Sequence, residues 1–117
     1  MRNDKENLIV NLTFTFALNI IAYSEEIKAA KKFEMASQIF RSGTSIGANT
    51  REAQNAESKA DFIHKFKIAA KEADEVNYWL MLCKSSEYYP NPDEKLFTEL
   101  NSIILIITKI IASSKVR

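Results

Sequence analysis

The chain has 117 residues, 46% of them apolar, with only two glycines and two prolines, which suits one hydrophobic core and excludes a disordered tail or a turn-rich sandwich or barrel. Sixteen Lys and Arg against fifteen Asp and Glu leave a formal charge of +1, so the chain as a whole is not committed to a polyanion. The single cysteine, Cys83, excludes an intrachain disulfide and falls on an apolar stripe, where a buried structural thiol is expected.

The first helix is expected over about 4–28, because Ile9, Leu12, Phe16, Ile20, Tyr23 and Ile27 recur at steps of three or four and line one side. A short lysine-containing connection leads to a second helix over about 33–57. Its expected inward positions are Ala36, Ile39, Phe40, Gly43, Ile46, Gly47, Thr50 and Ala53. Ser58 marks the next start, since its hydroxyl can accept from the first amides of a helix while Asp61 places negative charge in its first turn. The third helix is expected over about 59–85, where Phe62, Phe66, Ala69, Ala73, Val76, Leu80 and Cys83 alternate at steps of four and three. Pro90 and Pro92 interrupt the chain, and Asp93 can cap a fourth helix over about 94–114.

With short connections, consecutive helices become antiparallel neighbours. The expected fold is all-α, an up-down-up-down four-helix bundle forming a single domain over residues 1–117. Gly43 and Gly47 are one turn apart and each costs about 1 kcal/mol against Ala in a helix. Close packing, with Phe16, Phe62 or Phe66 filling the space, explains them better than a phosphate loop, which needs a preceding strand and a Gly-Lys-Ser/Thr sequence. Beside this stripe, Ser45, Asn49 and Glu52 form a polar track on the second helix, and Lys65, Glu72 and Trp79 form a matching flank on the third. Ser45, Asn49, Glu52 and Glu72 are expected to make a structural network that fixes register, because unpaired buried polar groups are costly.

No catalytic constellation emerges. A di-metal bundle needs Glu-x-x-His motifs on two helices, and this chain has one histidine, His64, with Asp61 three positions before it. No enzyme activity, metal or cofactor is expected. The fourth helix carries Leu96, Leu100, Ile103, Ile107 and Ile110 on one stripe, yet Phe97, Ile104, Leu105, Ile106 and Ile111 spread apolar surface around it. Burial on several faces points to subunit association. Its most apolar run, 103–112, is interrupted by Lys109 and is shorter than the roughly 20 residues that span a bilayer, so no membrane role is expected. The N-terminal ten residues lack the long apolar core of a secretory signal, which makes the cytoplasm the expected location.

Three strings carry a family likeness: FALNI (16–20), QIFRSGTSIGANTREA (38–53) and DFIHKFKIAAKEADEVNYWL (61–80). Together they resemble the four-helix-bundle proteins of the bacterial 23S ribosomal RNA intervening-sequence family, and SIGANTREA carries the likeness most strongly. The resemblance implies a small helical protein without recognised catalysis, often a ring, with a homopentamer favoured. The family is also similar to the accessory variability proteins of diversity-generating retroelements, which are basic and bind nucleic acid. The near-neutral charge here departs from that pattern.

Two functions stay open. One is an RNA-associated accessory protein, in which Arg41, Arg51, Lys59, Lys65, Lys67 and Lys71 contact phosphates of structured RNA and repetition around an oligomer multiplies a modest patch. The other is a protein-interaction scaffold with no nucleic-acid role, using the apolar last helix or the aromatics Tyr78, Trp79, Tyr88 and Tyr89 as anchors.

Overall fold

Asn7 begins the first helix by accepting a hydrogen bond from the Val10 amide at 3.3 Å, and its side-chain amide donates to Gln54 Oε1 at 2.7 Å. The computed structural model describes residues 7–115, with α1 at Leu8–Ala29, α2 at Phe33–Ala53, α3 at Lys59–Ser85 and α4 at Glu94–Lys115. Residues 4–6 of the expected first turn lie outside the described residues. Each helix packs along two neighbours, α4 closing the set against α1, and side chains of all four meet in one core. The result is an all-α, antiparallel, up-down-up-down four-helix bundle about 47 Å long and 21 Å across.

Local chemistry sets the ends. After Ala30 the chain turns through Lys31 at a φ of 64°, while the Lys31 and Lys32 amides donate back to Lys28 O and Ile27 O at 2.8 and 3.1 Å. This is a helix stop usually given to glycine, here built on lysine. α2 ends at Ala53, a turn short of the expected position 57. The Gln54, Asn55 and Ala56 amides each reach the carbonyl three residues back, which tightens the winding, and the Glu57 amide is taken by Asp61 Oδ2 at 3.2 Å. Ser58 then caps α3 through the Asp61 amide at 3.0 Å, and Asp93 accepts from the Lys95 amide at 3.0 Å at the start of α4.

The core runs the length of the bundle. Phe16, Ile20, Ile39, Ile46, Phe66, Val76, Leu80, Leu100 and Ile103 are fully buried, each worth about 1.5–3 kcal/mol over an exposed position. Buried hydroxyls of Thr13, Ser42 and Thr50 are satisfied within their own helices by carbonyls four residues back, at 2.7–2.8 Å.

The glycines do different jobs. A Cβ on Gly43 would stand 2.7 Å from Ile20 Cγ2 and 2.9 Å from Ile20 Cγ1, whereas one on Gly47 would meet the Thr13 carbonyl oxygen at 3.4 Å. The side chains against them are therefore Ile20 and Thr13 of α1, not the expected Phe16, Phe62 or Phe66. Phe40, expected inward, is exposed. Ala36, Ile39, Gly43, Ile46, Thr50 and Ala53 hold the inward stripe, and Phe40 and Gly47, seven residues apart, lie on its flank.

Gly43→Ala should lower stability by about 1–3 kcal/mol despite its gain in helix propensity, because the β-branched Ile20 cannot swing away. Gly47→Ala should be neutral or stabilising by up to about 1 kcal/mol. Urea unfolding of both variants checks the contrast.

Tyr23 joins α1 to the loop 86–93, donating its hydroxyl to the Pro90 carbonyl at 2.6 Å. Burial, followed by the neighbouring Cys83 thiol, pushes the phenol well above its ordinary value, and burial likewise pushes the thiol up. Both groups hold their protons in the folded chain where the unfolded chain releases them. Their contribution is therefore complete below the ordinary thiol and phenol values and is lost as pH rises through and beyond them. Tyr23→Phe should cost about 1–3 kcal/mol at neutral pH by leaving the Pro90 carbonyl unpaired. The same variant should flatten the alkaline fall in stability, measured by urea unfolding between about pH 8 and 11.

Candidate interaction surfaces

The seam between α2 and α3 carries two polar rungs. Lys65 Nζ donates to Glu52 Oε1 at 2.8 Å, and Arg41 reaches Glu72 Oε1 at 3.3 Å and also pairs with Glu75. Moving from Glu52 back to Arg41 on α2 goes with moving from Lys65 forward to Glu72 and Glu75 on α3, the register of an antiparallel pair. The Glu52 carboxylate, by hydrogen bond and then by charge, holds the Lys65 ammonium above its ordinary value. Trp79 Nε1 donates to Glu75 Oε2 at 3.2 Å, which steadies the upper rung.

The expected network is thus divided. Glu52 and Glu72 cross between helices, but Asn49 turns back on its own helix and donates to the Ser45 carbonyl at 2.9 Å. Exposed pairs of this kind are worth less than about 1 kcal/mol each, so their effect is on register more than on stability.

The six cations proposed from sequence do not form one patch. Arg41 and Lys65 are engaged with carboxylates on the seam. Lys67 and Lys71 are exposed on the outer side of α3 and, among the described residues, make no ion pair. Lys59 stands at the α3 N-terminus and Arg51 near the α2 C-terminus, lining a groove between α1 and α2. His64 is exposed beside Lys67, and among the described residues no three His, Cys, Asp or Glu side chains are grouped to hold a metal ion.

α4 hides more apolar surface than its sequence suggests. Ile104, Ile106, Ile110, Ile111 and Phe97 are half-buried and pack against the core, and Leu105 is the one large apolar side chain of α4 counted as exposed among the described residues. A helix resting against two neighbours buries flanks that an inward stripe alone would leave open. Both α1 and α4 are long and apolar enough to cross a bilayer by length and composition, and both place side chains in the shared core.

Apolar surface is exposed instead along α1 and α2, with a second group, Tyr78, Met81, Leu82 and Tyr88, at the end of α3. Phe14 is 64% exposed, Leu18 53%, Phe33 60% and Phe40 49%, with Ile21 between them on α1. A groove of about 650 Å³ runs between the two helices over a floor that includes Ala17, Gly47 and Ala48. Toward the α1–α2 turn a further pocket of about 300 Å³ is lined by Ser24, Phe33, Ala36 and Phe40. The Ser24 hydroxyl there is buried and, among the described residues, is the one buried side-chain polar atom without a hydrogen-bond partner.

This surface was missed by sequence reasoning, although a signal existed. Phe14, Leu18 and Ile21 form a second apolar stripe on the first helix, at steps of four and three, on the side away from Phe16, Ile20 and Tyr23. Phe33 and Phe40 repeat at seven on the second.

Fold and surface together define a small all-α four-helix bundle with an apolar groove between α1 and α2. The chain belongs to the 23S rRNA-intervening sequence protein family, whose model matches residues 5–112. It is similar to a crystal structure from Bacteroides thetaiotaomicron described as a protein with unknown function from the S23 ribosomal protein family. The two share 40% identity and a TM-score of 0.84, with 89% of this chain and 98% of that one covered. A comparison with curated proteins finds no match.

Proposed function

We propose that this protein works by binding rather than by catalysis, as a homo-oligomer that presents a repeated surface to structured RNA. The observation that carries self-assembly is the exposed apolar face of α1 and α2. Three half-exposed to two-thirds-exposed phenylalanines leave about 350 Å² of ring surface open, and with Leu18 and Ile21 the patch reaches on the order of 500 Å². A homopentamer is the favoured size on family resemblance, and the cytoplasm the favoured location.

The RNA reading is supported by the family's 23S rRNA setting and by the Lys67 and Lys71 row on the outer side of α3. Two such lysines per subunit are a weak site alone. Repeated around an oligomer they become a continuous one, because the second and later contacts are made at high effective concentration. The rival reading, a protein scaffold without RNA, draws support from the near-neutral charge and from the engagement of Arg41 and Lys65 within the chain.

Binding of the purified protein to a structured RNA should weaken with salt, by a slope of about −0.7 to −0.9 for each phosphate contact made. Lys67→Glu with Lys71→Glu should abolish binding while helicity and oligomer mass stay unchanged. Retention of full affinity by that double variant, or no binding by the wild type at low salt, contradicts the RNA reading and leaves the scaffold.

A further inference from the structure

We propose that the cleft between the start of α2 and the end of α3 docks an arginine-rich segment of another protein, with one guanidinium seated against the Trp79 and Tyr89 rings and paired with Glu34.

The near-neutral net charge conceals a division along the bundle. Cut at the helix midpoints, the half that holds the α1–α2 turn and the loop 86–93 comprises 19–43 and 72–104, and it carries ten Asp and Glu against six Lys and Arg. The rest of the described residues carry three against seven. One half therefore has four negative charges in excess and the other four positive ones. A field of this form steers a cationic partner to one end of the molecule and a polyanion to the other.

Within the acidic half, several of the chain's own cations are already engaged. Lys28 pairs with Glu25 at 3.8 Å, Arg41 with Glu72 and Glu75, and Lys84 with Glu94 at 2.9 Å. Glu34, Asp74 and Glu87 have no ion-pair partner among the described residues. All three stand beside aromatic groups: Glu34 lines the cleft, Asp74 is one turn before Tyr78 on α3, and Glu87 precedes Tyr88.

Carboxylates alone attract any cation, and the cleft adds the selectivity. It encloses about 530 Å³ between Glu34, Met35, Ser37 and Gln38 of α2, Trp79 of α3 and Tyr89 of the loop. Trp79 is held in place before a ligand arrives, because its indole N–H donates to Glu75 Oε2 at 3.2 Å and its ring lies 5.4 Å from that of Tyr78. Cations are drawn to such ring faces. The same end of the bundle uses this attraction twice within the chain, Lys32 standing 5.8 Å over the Tyr89 ring and Lys84 5.1 Å over that of Phe97. Lys32 has no carboxylate partner among the described residues, so a guanidinium that takes its place on Tyr89 and also reaches Glu34 gains a charge-assisted bond that Lys32 does not make. Arginine suits the cleft better than lysine because its planar fork both stacks on rings and meets a carboxylate through two parallel bonds. Beside the cleft, Tyr78 is 57% exposed and Leu82 38%, which offers contact to apolar residues of the same segment.

Trp79 is the one tryptophan of the chain, so its fluorescence reports on the cleft directly. The probe is a short peptide of arginine and leucine, with matched versions carrying lysine or glutamate in place of arginine, added to the full chain at low ionic strength. The arginine peptide should change Trp79 emission saturably, the lysine version should bind at least about 3-fold more weakly, and the glutamate version should not bind. Glu34→Gln should weaken the arginine peptide about 3- to 10-fold, whereas Glu57→Gln, the same loss of charge in the basic half, should leave its affinity unchanged. Both residues are exposed, and unchanged helicity and melting confirm folding. Equal weakening by the two variants shows attraction to overall charge and overturns the site. Emission that does not respond to the arginine peptide overturns the proposal outright. Two other outcomes also overturn it: emission that shifts with protein concentration alone while the peptide is blocked, which places a second copy over the cleft, and a shift on adding structured RNA, which makes the cleft a nucleic-acid surface.

Discussion

Ile20 rests against bare backbone at Gly43, and the arrangement of the bundle follows from that approach. A methyl group at this one position would stand within 3 Å of two Ile20 carbons. With α1 and α2 drawn together, the space between them is filled by small and β-branched side chains, Thr13, Ile20, Gly43 and Gly47. Large side chains on the flanks of that contact have no room inside. Phe14, Leu18 and Phe40 are turned outward, and the floor they leave behind is the groove. The close packing that stabilises one pair of helices thus leaves apolar surface open beside it.

The polar groups complement this division of labour. Along α2 and α3 the cations and carboxylates are spent on one another, Glu52 with Lys65 and Arg41 with Glu72 and Glu75, which sets register and removes two of the six candidate phosphate contacts. Of the other four, Lys67 and Lys71 are exposed together on the outer side of α3. The bundle therefore separates its surfaces: an apolar groove on one side, a cationic row near the start of α3, and an aromatic cluster at its end.

Much of the fold was legible in the sequence because the inward stripes are regular. The four-three alternation from Phe62 to Cys83 and the caps at Ser58 and Asp93 place α3 and the start of α4 within a residue. The end of α2 was not legible, since Gln54 to Glu57 have ordinary helix propensities and the stop depends on Asp61, a later residue, claiming the Glu57 amide. Phe40 stands four residues from Ala36 and three from Gly43, a spacing that fits the inward stripe, yet it is exposed in the folded chain. The apolar last helix misled for a related reason: its spread of isoleucines is absorbed by contact with two neighbours, a tertiary fact that periodicity along one helix does not contain. The cationic site was read from residue type, and which lysines face carboxylates depends on the register between helices.

The central claim is that the α1/α2 face is covered in the assembled protein. Ser37 lies on this face, beside Ser24 and Phe40, and is exposed in the single chain. The most direct measurement is the rate at which a thiol reagent labels Ser37→Cys across a dilution series, with mass followed in parallel and buried Cys83 as the internal reference. Labelling should slow in step with the gain in mass and recover on dilution. Labelling that stays equally fast while the protein assembles would show that the face remains open, and would contradict the account.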